Sequence, residues 1–155
     1  MSDVLTPTQR SHCMSRIRGK HTKPELIIRK GLFALGFRYH LHVDKLPGRP
    51  DLVFSKYGAV IFVHGCFWHE HRCRLFRWPK VNADFWRKKI SRNRANDAKN
   101  LVKLQLAGWR TLIVWECAVR DRHRSSPAKV IDRVARWLCS RRRSLEISAS
   151  PSARD

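Results

Sequence analysis

Cys66, His71 and Cys73 fall within one short run, Cys66-Phe67-Trp68-His69-Glu70-His71-Arg72-Cys73. Soft thiolates and an imidazole spaced this closely can close most of a tetrahedral zinc shell from a single loop, and Cys117 is available as a fourth ligand. His64 and His69 stay outside such a shell, so the same loop offers a structural metal beside a pair of reactive imidazoles. Ordinary buried thiols next to a solvated His71 are the alternative. Glu70, between two histidines, reads as a surface residue. A second centre is Asp51, which Pro47-Gly48-Arg49-Pro50 delivers to the start of an apolar strand whose hairpin partner ends in Val63-His64. An unpaired carboxylate is costly there. Either a turn supplies it with hydrogen bonds, or it joins a further acid such as Glu25 in the arrangement by which nucleases hold Mg²⁺ against a scissile phosphate.

The elements that must position these groups follow from periodicity. Thr22 with Glu25 reads as a capping box, Ile28, Leu32 and Leu35 follow at helical spacing, and Gly36 supplies the stop. Phe37, Tyr39 and Leu41 alternate with Arg38, His40 and His42, the period of a strand with one buried face. Asp51 to Phe54 and Ala59 to Val63 are apolar runs joined by Ser55-Lys56-Tyr57-Gly58, which predicts a hairpin. Beyond the Cys/His loop, Asp84 is expected to cap a helix with Ile90, Leu101 and Leu104 inward, ended by Gly108. Trp109 to Trp115 forms a fourth strand. Ser126-Pro127 opens a last helix whose core face is Val130, Ile131, Val134, Trp137 and Leu138. The expected order is α-β-β-β-α-β-α, a mixed-sheet α/β domain over residues 21–140. Residues 1–20 form a basic N-terminal segment in which Met14 and Ile17 share a face, and residues 141–155 are too polar to order themselves and form a tail.

With 155 residues and 43% hydrophobic content the chain can bury one core, so a single domain is expected. Thirty-three Lys and Arg against 12 Asp and Glu give a net charge of +21, which attracts phosphate backbones over long range and makes nucleic acid the first-choice partner. An apolar span of membrane length, a signal-peptide core and a long basic amphipathic helix are all missing from the sequence. Five cysteines, odd in number and set among histidines, fit a reducing cytoplasm with metal ligation, leaving Cys13 and Cys139 as free thiols. Phe67, Trp68 and Trp86 are either plain core or, beside Arg72, Arg74, Arg77, Arg87 and Lys88, a wedge that enters a base stack.

This order of elements with an acid at Asp51 resembles the restriction-endonuclease-like core, although the acid, spacer and lysine usual on its third strand are missing. In their place stands Val60-Ile61-Phe62-Val63-His64-Gly65-Cys66-Phe67-Trp68-His69, which is similar to the very-short-patch-repair endonucleases, the bacterial Vsr family. The similarity takes in Met14 to Lys20, Thr22-Lys23-Pro24-Glu25, Leu46 to Asp51, Phe85-Trp86, Lys89-Ile90, Asn93, Asp97, Gly108-Trp109-Arg110 and Trp115-Glu116-Cys117.

The resemblance implies a DNA repair enzyme that, with Mg²⁺, nicks one strand 5′ to the thymine of a T:G mismatch left by deamination of 5-methylcytosine. By position, Asp51 and the main-chain carbonyl of Val63 would hold Mg²⁺, His69 would activate or orient the attacking water with Asp97 steadying its ring, and His64 and Glu25 would organise bound waters and phosphate. Cys66, His71, Cys73 and Cys117 would hold a structural Zn²⁺. Many relatives have threonine at the position of Val63, a change that a backbone ligand tolerates and a hydroxyl ligand does not. Phe67, Trp68 and Trp86 would intercalate from the major groove, Met14 and Ile17 would approach from the minor groove, and Lys89 and Asn93 would help read the mismatch. The family also implies a monomer on double-stranded DNA in the bacterial cytoplasm, associated with the nucleoid, and leaves open whether mismatch-repair proteins assist. On the residues alone, two other readings stand: a restriction-type endonuclease that cuts matched DNA, and a zinc-stapled DNA-binding module without catalysis.

Overall fold

The computed structural model describes residues 21–73, 75–121 and 126–149. Met14, Ile17, Cys13 and Arg74 lie outside them. Helix α1 (Lys23–Ala34) starts at Thr22, whose hydroxyl accepts the Glu25 amide at 3.4 Å. Only half of the expected capping box forms, because the Glu25 carboxylate turns inward instead, to Arg29 and His42. Strand β1 (His40–Leu41) is short, and it pairs antiparallel with β2 (Leu52–Phe54). A 3-10 turn (Ser55–Tyr57) and Gly58, left-handed at φ 57°, lead into β3 (Ala59–His64) and close the expected hairpin. Helix α2 (Ala83–Leu106) follows, then β4 (Arg110–Trp115), a short helix α3 (Glu116–Arg120), α4 (Pro127–Leu138) and β5 (Ser144–Ile147).

The five strands lie side by side in the order β1-β2-β3-β4-β5, the β1–β2 and β2–β3 pairs antiparallel and the β3–β4 and β4–β5 pairs parallel. Alternation along the strands separates two cores. Leu52, Phe54, Ala59, Ile61, Leu112 and Val114 point to one face, where Ile28 and Leu32 of α1 and Val130, Val134, Trp137 and Leu138 of α4 cover them. Val53, Val60 and Phe62 point to the other face, under Leu104 of α2. Helices on both faces explain why β3 is apolar almost throughout rather than alternating.

Three expectations need correction. Asp84 lies in the first turn of α2 and is not its cap; Asn82, left-handed at φ 56°, holds that place without a side-chain hydrogen bond. The element order gains α3 and, at the end, β5. Residues 141–155 are therefore not all tail: Ser144–Ile147 adds a parallel edge strand to β4, and Ile147 is 1% exposed in the main core. Only two apolar side chains, Leu145 and Ile147, mark it in the sequence. Among the described residues no helix is long and apolar enough to cross a membrane.

Candidate active site and metal centre

The antiparallel hairpin brings the beginning of β2 and the end of β3 to one edge of the sheet. Asp51, just before β2, therefore meets Val63 and His64, and its Oδ2 accepts the Val63 amide at 2.7 Å. A strand residue sends its N–H and C=O to the same edge, so the Val63 carbonyl leaves toward the Asp51 side too. The loop Leu46 to Pro50 folds over α2 at Gly48, left-handed at φ 76°, where a Cβ would lie 3.1 Å from the Asn100 side chain. A cleft of about 350 Å³ opens there, lined by Asp51, Val63, His64, His69, Asp97 and Asn100 among others.

Helix α2 supplies the far wall. Asn93 and Asp97 are four residues apart and so share one face of it. Asn93 donates to the Trp68 carbonyl at 3.0 Å, and Asp97 hydrogen-bonds His69 Nδ1 through its Oδ2. That bond leaves the other ring nitrogen of His69 to act on something else. The His64 and His69 rings stack, centroids 3.9 Å apart and 5° from parallel. Burial pushes the His64 pKa down to about 3, the neighbouring His69 helps, and Asp97 opposes. His64 is thus neutral at ordinary pH, and its buried Nδ1 has no hydrogen-bond partner. Burial pushes the Asp51 carboxyl up to about 7; its bond to the Val63 amide resists, and the nearby Glu25 carboxylate adds to the rise. An acid raised by burial and by a second acid is short of positive charge, which an oxygen-preferring divalent cation would supply.

Glu25 is 1% exposed and reaches this edge from α1. Its Oε2 takes Arg29 at 2.8 Å and its Oε1 takes His42 Nε2 at 2.8 Å. His42 Nε2 also lies 3.9 Å from Asp51 Oδ1, so this imidazole bridges the two acids. His42 was expected only as a polar residue alternating along a strand. No local signal could have found it, since its contact with Glu25 spans 17 residues.

On the other side of the same loop, Cys66, His71, Cys73 and Cys117 place one ligand atom each within 4.8 Å of one another. His71 Nδ1 stands 3.6 Å from Cys66 Sγ and 3.5 Å from Cys117 Sγ. Ligands about 2.0–2.3 Å from a tetrahedral zinc have edges of about this length. The Cys117 thiol is held down to about 4 by a hydrogen bond from Cys66 and by His71, while the Cys66 thiol is pushed up. Backbone amides of Cys117 and Ala149 donate to Cys66 and Cys117 sulfurs, each at 3.4 Å, as thiolate ligands require. The His71 ring stacks on Trp115 at 4.3 Å. Thiolate and imidazole donors in a closed set of four fit a structural zinc.

Phe67, Trp68 and Trp86 gather edge to face, with centroids 5.1–5.7 Å apart. All three are partly exposed, and Lys89 Nζ lies over Trp68 and Trp86 at 5.5 and 5.8 Å. Glu70 is not the surface residue expected. Its side chain is 8% exposed and, paired with Arg94 at 2.8 Å and Arg72 at 3.4 Å, ties the loop to α2.

Comparison with known proteins yields one family. Residues 2–75 match the family model described as DNA mismatch endonuclease Vsr. The chain is 40% identical over 147 residues to the DNA mismatch endonuclease Vsr of Escherichia coli, an alignment covering 95% of this chain and 94% of that protein. It is 44% identical over 122 residues to the type II nicking enzyme V.NmeAIP of Neisseria meningitidis, covering 79% and 87%. With the type II nicking enzyme V.XorIIP of Xanthomonas oryzae pv. oryzae the identity is 45% over 121 residues, covering 78% and 89%.

Proposed function

The chain belongs to the Vsr family of DNA mismatch endonucleases, and from that premise we propose that it nicks one strand 5′ to the thymine of a T:G pair in double-stranded DNA. The observation that carries the reading is the His69–Asp97 pair facing Asp51 across one cleft. The framework is a restriction-endonuclease-like core with a structural zinc on Cys66, His71, Cys73 and Cys117.

Asp51, with the main-chain carbonyl of Val63, would hold Mg²⁺, which when bound polarises the scissile phosphate and neutralises its developing charge. Asp97 accepts the Nδ1 proton of His69, fixing the tautomer in which Nε2 carries a lone pair. His69 Nε2 then takes the proton of the attacking water. His64, neutral and stacked on that ring, adds no positive charge that would oppose protonation of His69. Glu25 orients water and phosphate beside Asp51. Because the Val63 contribution is a backbone oxygen, valine serves there as well as threonine.

Phe67, Trp68 and Trp86 enter the base stack at the mismatch, with Lys89 and Asn93 close to its bases. Stacking of roughly 1–3 kcal/mol per base offsets the opening of a step, and a wobble pair costs less to open than a matched one. The test is a nicking assay with Mg²⁺ on matched and T:G duplexes in several sequence contexts. Strand-specific cutting of T:G duplexes alone is expected, and Asp51→Asn should abolish it while duplex binding persists. Double-strand cutting of matched DNA would point to a restriction enzyme, and binding without cutting to a non-catalytic module.

A further inference from the structure

Apart from the Cys/His shell and the His64, His69 and Asp97 group, a third set of ligating side chains converges at the start of α1, on the rim of the same cleft, which His42 also lines. His21, Glu25 and His42 each offer one ligand atom, all within 4.8 Å of one another. Glu25 Oε1 lies 2.8 Å from His42 Nε2, and Glu25 Oε2 lies 3.9 Å from His21 Nδ1. The two rings meet edge-on, centroids 4.8 Å apart. Glu25 and His42 side chains are 1% and 9% exposed, whereas His21 is 47% exposed and leaves an entry from solvent. His21 holds a left-handed backbone at φ 55°, a conformation that a residue other than glycine adopts at some cost.

Arg29 Nη1 now sits at this point of convergence, 2.8 Å from both His21 Nδ1 and Glu25 Oε2. One guanidinium suffices for Glu25. A simple ion pair does not call for two further imidazole nitrogens within 3.9 Å of the same carboxylate. Two imidazoles and one carboxylate are the donor set that favours zinc-class ions over Mg²⁺, because imidazole is a poor ligand for the harder cation.

We propose that His21, Glu25 and His42 form a second transition-metal site, taking Zn²⁺ or Co²⁺ in place of the Arg29 guanidinium. The site is separate from the Cys66/His71/Cys73/Cys117 shell and adjoins Asp51 through His42, 3.9 Å away. An ion held here engages Glu25, so on the reading of Glu25 given above it suppresses nicking as zinc rises.

The test is calorimetric titration of full-length protein, already carrying one zinc per chain, with further Zn²⁺, together with visible absorption during Co²⁺ addition. A second equivalent should bind, and its cobalt bands should lack thiolate charge transfer. His42→Gln and His21→Ala should each weaken it by about tenfold or more, and Arg29→Met should strengthen it by removing the competing charge. His21 is exposed enough for its loss to leave the fold intact. His69→Ala should leave the second ion in place. The proposal fails if wild type stops at one zinc, if both histidine replacements leave the second ion unchanged, or if His69→Ala removes it. These are binding readouts, so they stand whether or not the protein nicks DNA. If the second ion binds as described and nicking is unaffected by it, the assignment of Glu25 to the reaction is what falls.

Discussion

Asp51 carries a charge problem that the protein alone leaves unsolved. Its folded-state pKa of about 7 lies above the ordinary 3.8, so the metal-free folded protein holds that proton more tightly than the unfolded chain does. The stability this contributes is complete below about pH 3.8 and is lost as pH rises through about 7. Thermal melts of metal-free protein over that range should show the decline. Asp51→Asn should remove the Asp51 part of it, and a saturating divalent cation should flatten it. His69 poses a different question, that of tautomer. Asp97→Asn leaves the ring in place but removes the anion that fixes the Nδ1 proton, so kcat should fall by about 10²-fold with DNA affinity unchanged. Single-turnover nicking and equilibrium binding separate the two effects. Asp51, His64 and His69 were legible in the sequence because a strand end and a short loop concentrate them. His42 and the buried role of Glu70 were not, because each depends on a partner on another element that no local period reports.

At the scale of elements, the helices announced themselves best. Thr22, Ser126-Pro127, Gly36 and Gly108 act through local backbone geometry, and the structure uses them where the sequence places them. Strand β5 was harder, since it is an edge strand recruited by its neighbour rather than by its own apolar pattern, and of the strand expected from the Phe37, Tyr39 and Leu41 alternation only His40 and Leu41 form, both exposed. The β5 strand shows the consequence. Ile147 is 1% exposed in the main core, and just beyond it Ala149 donates its amide to the Cys117 sulfur. Ile147→Ala should therefore cost about 2–5 kcal/mol, read by denaturant unfolding. An unchanged midpoint would return this stretch to the status of a tail.

At the scale of the molecule, a net charge of +21 governs the approach to DNA. Each phosphate neutralised releases condensed counterions, so six to ten contacts should lower affinity by about 10³–10⁵-fold between roughly 50 and 200 mM salt. Fluorescence anisotropy on a T:G duplex measures that slope, and a flat response would exclude a phosphate-driven encounter. On the proposed reading, discrimination belongs to the aromatic group, whose stacking is far less sensitive to salt, so the T:G preference should survive where overall affinity falls. The architecture also ties two sets of side chains to one stretch of chain. His64 and His69 turn to the cleft while Cys66, His71 and Cys73 turn to the cluster that could hold a metal, all from the end of β3 and the loop that follows it. Inserting or deleting a single residue anywhere along it would misalign both sets together. A one-residue insertion between His64 and Cys73 should therefore cost the cleft and the Cys/His cluster in a single step, so the two stand or fall by one length of chain.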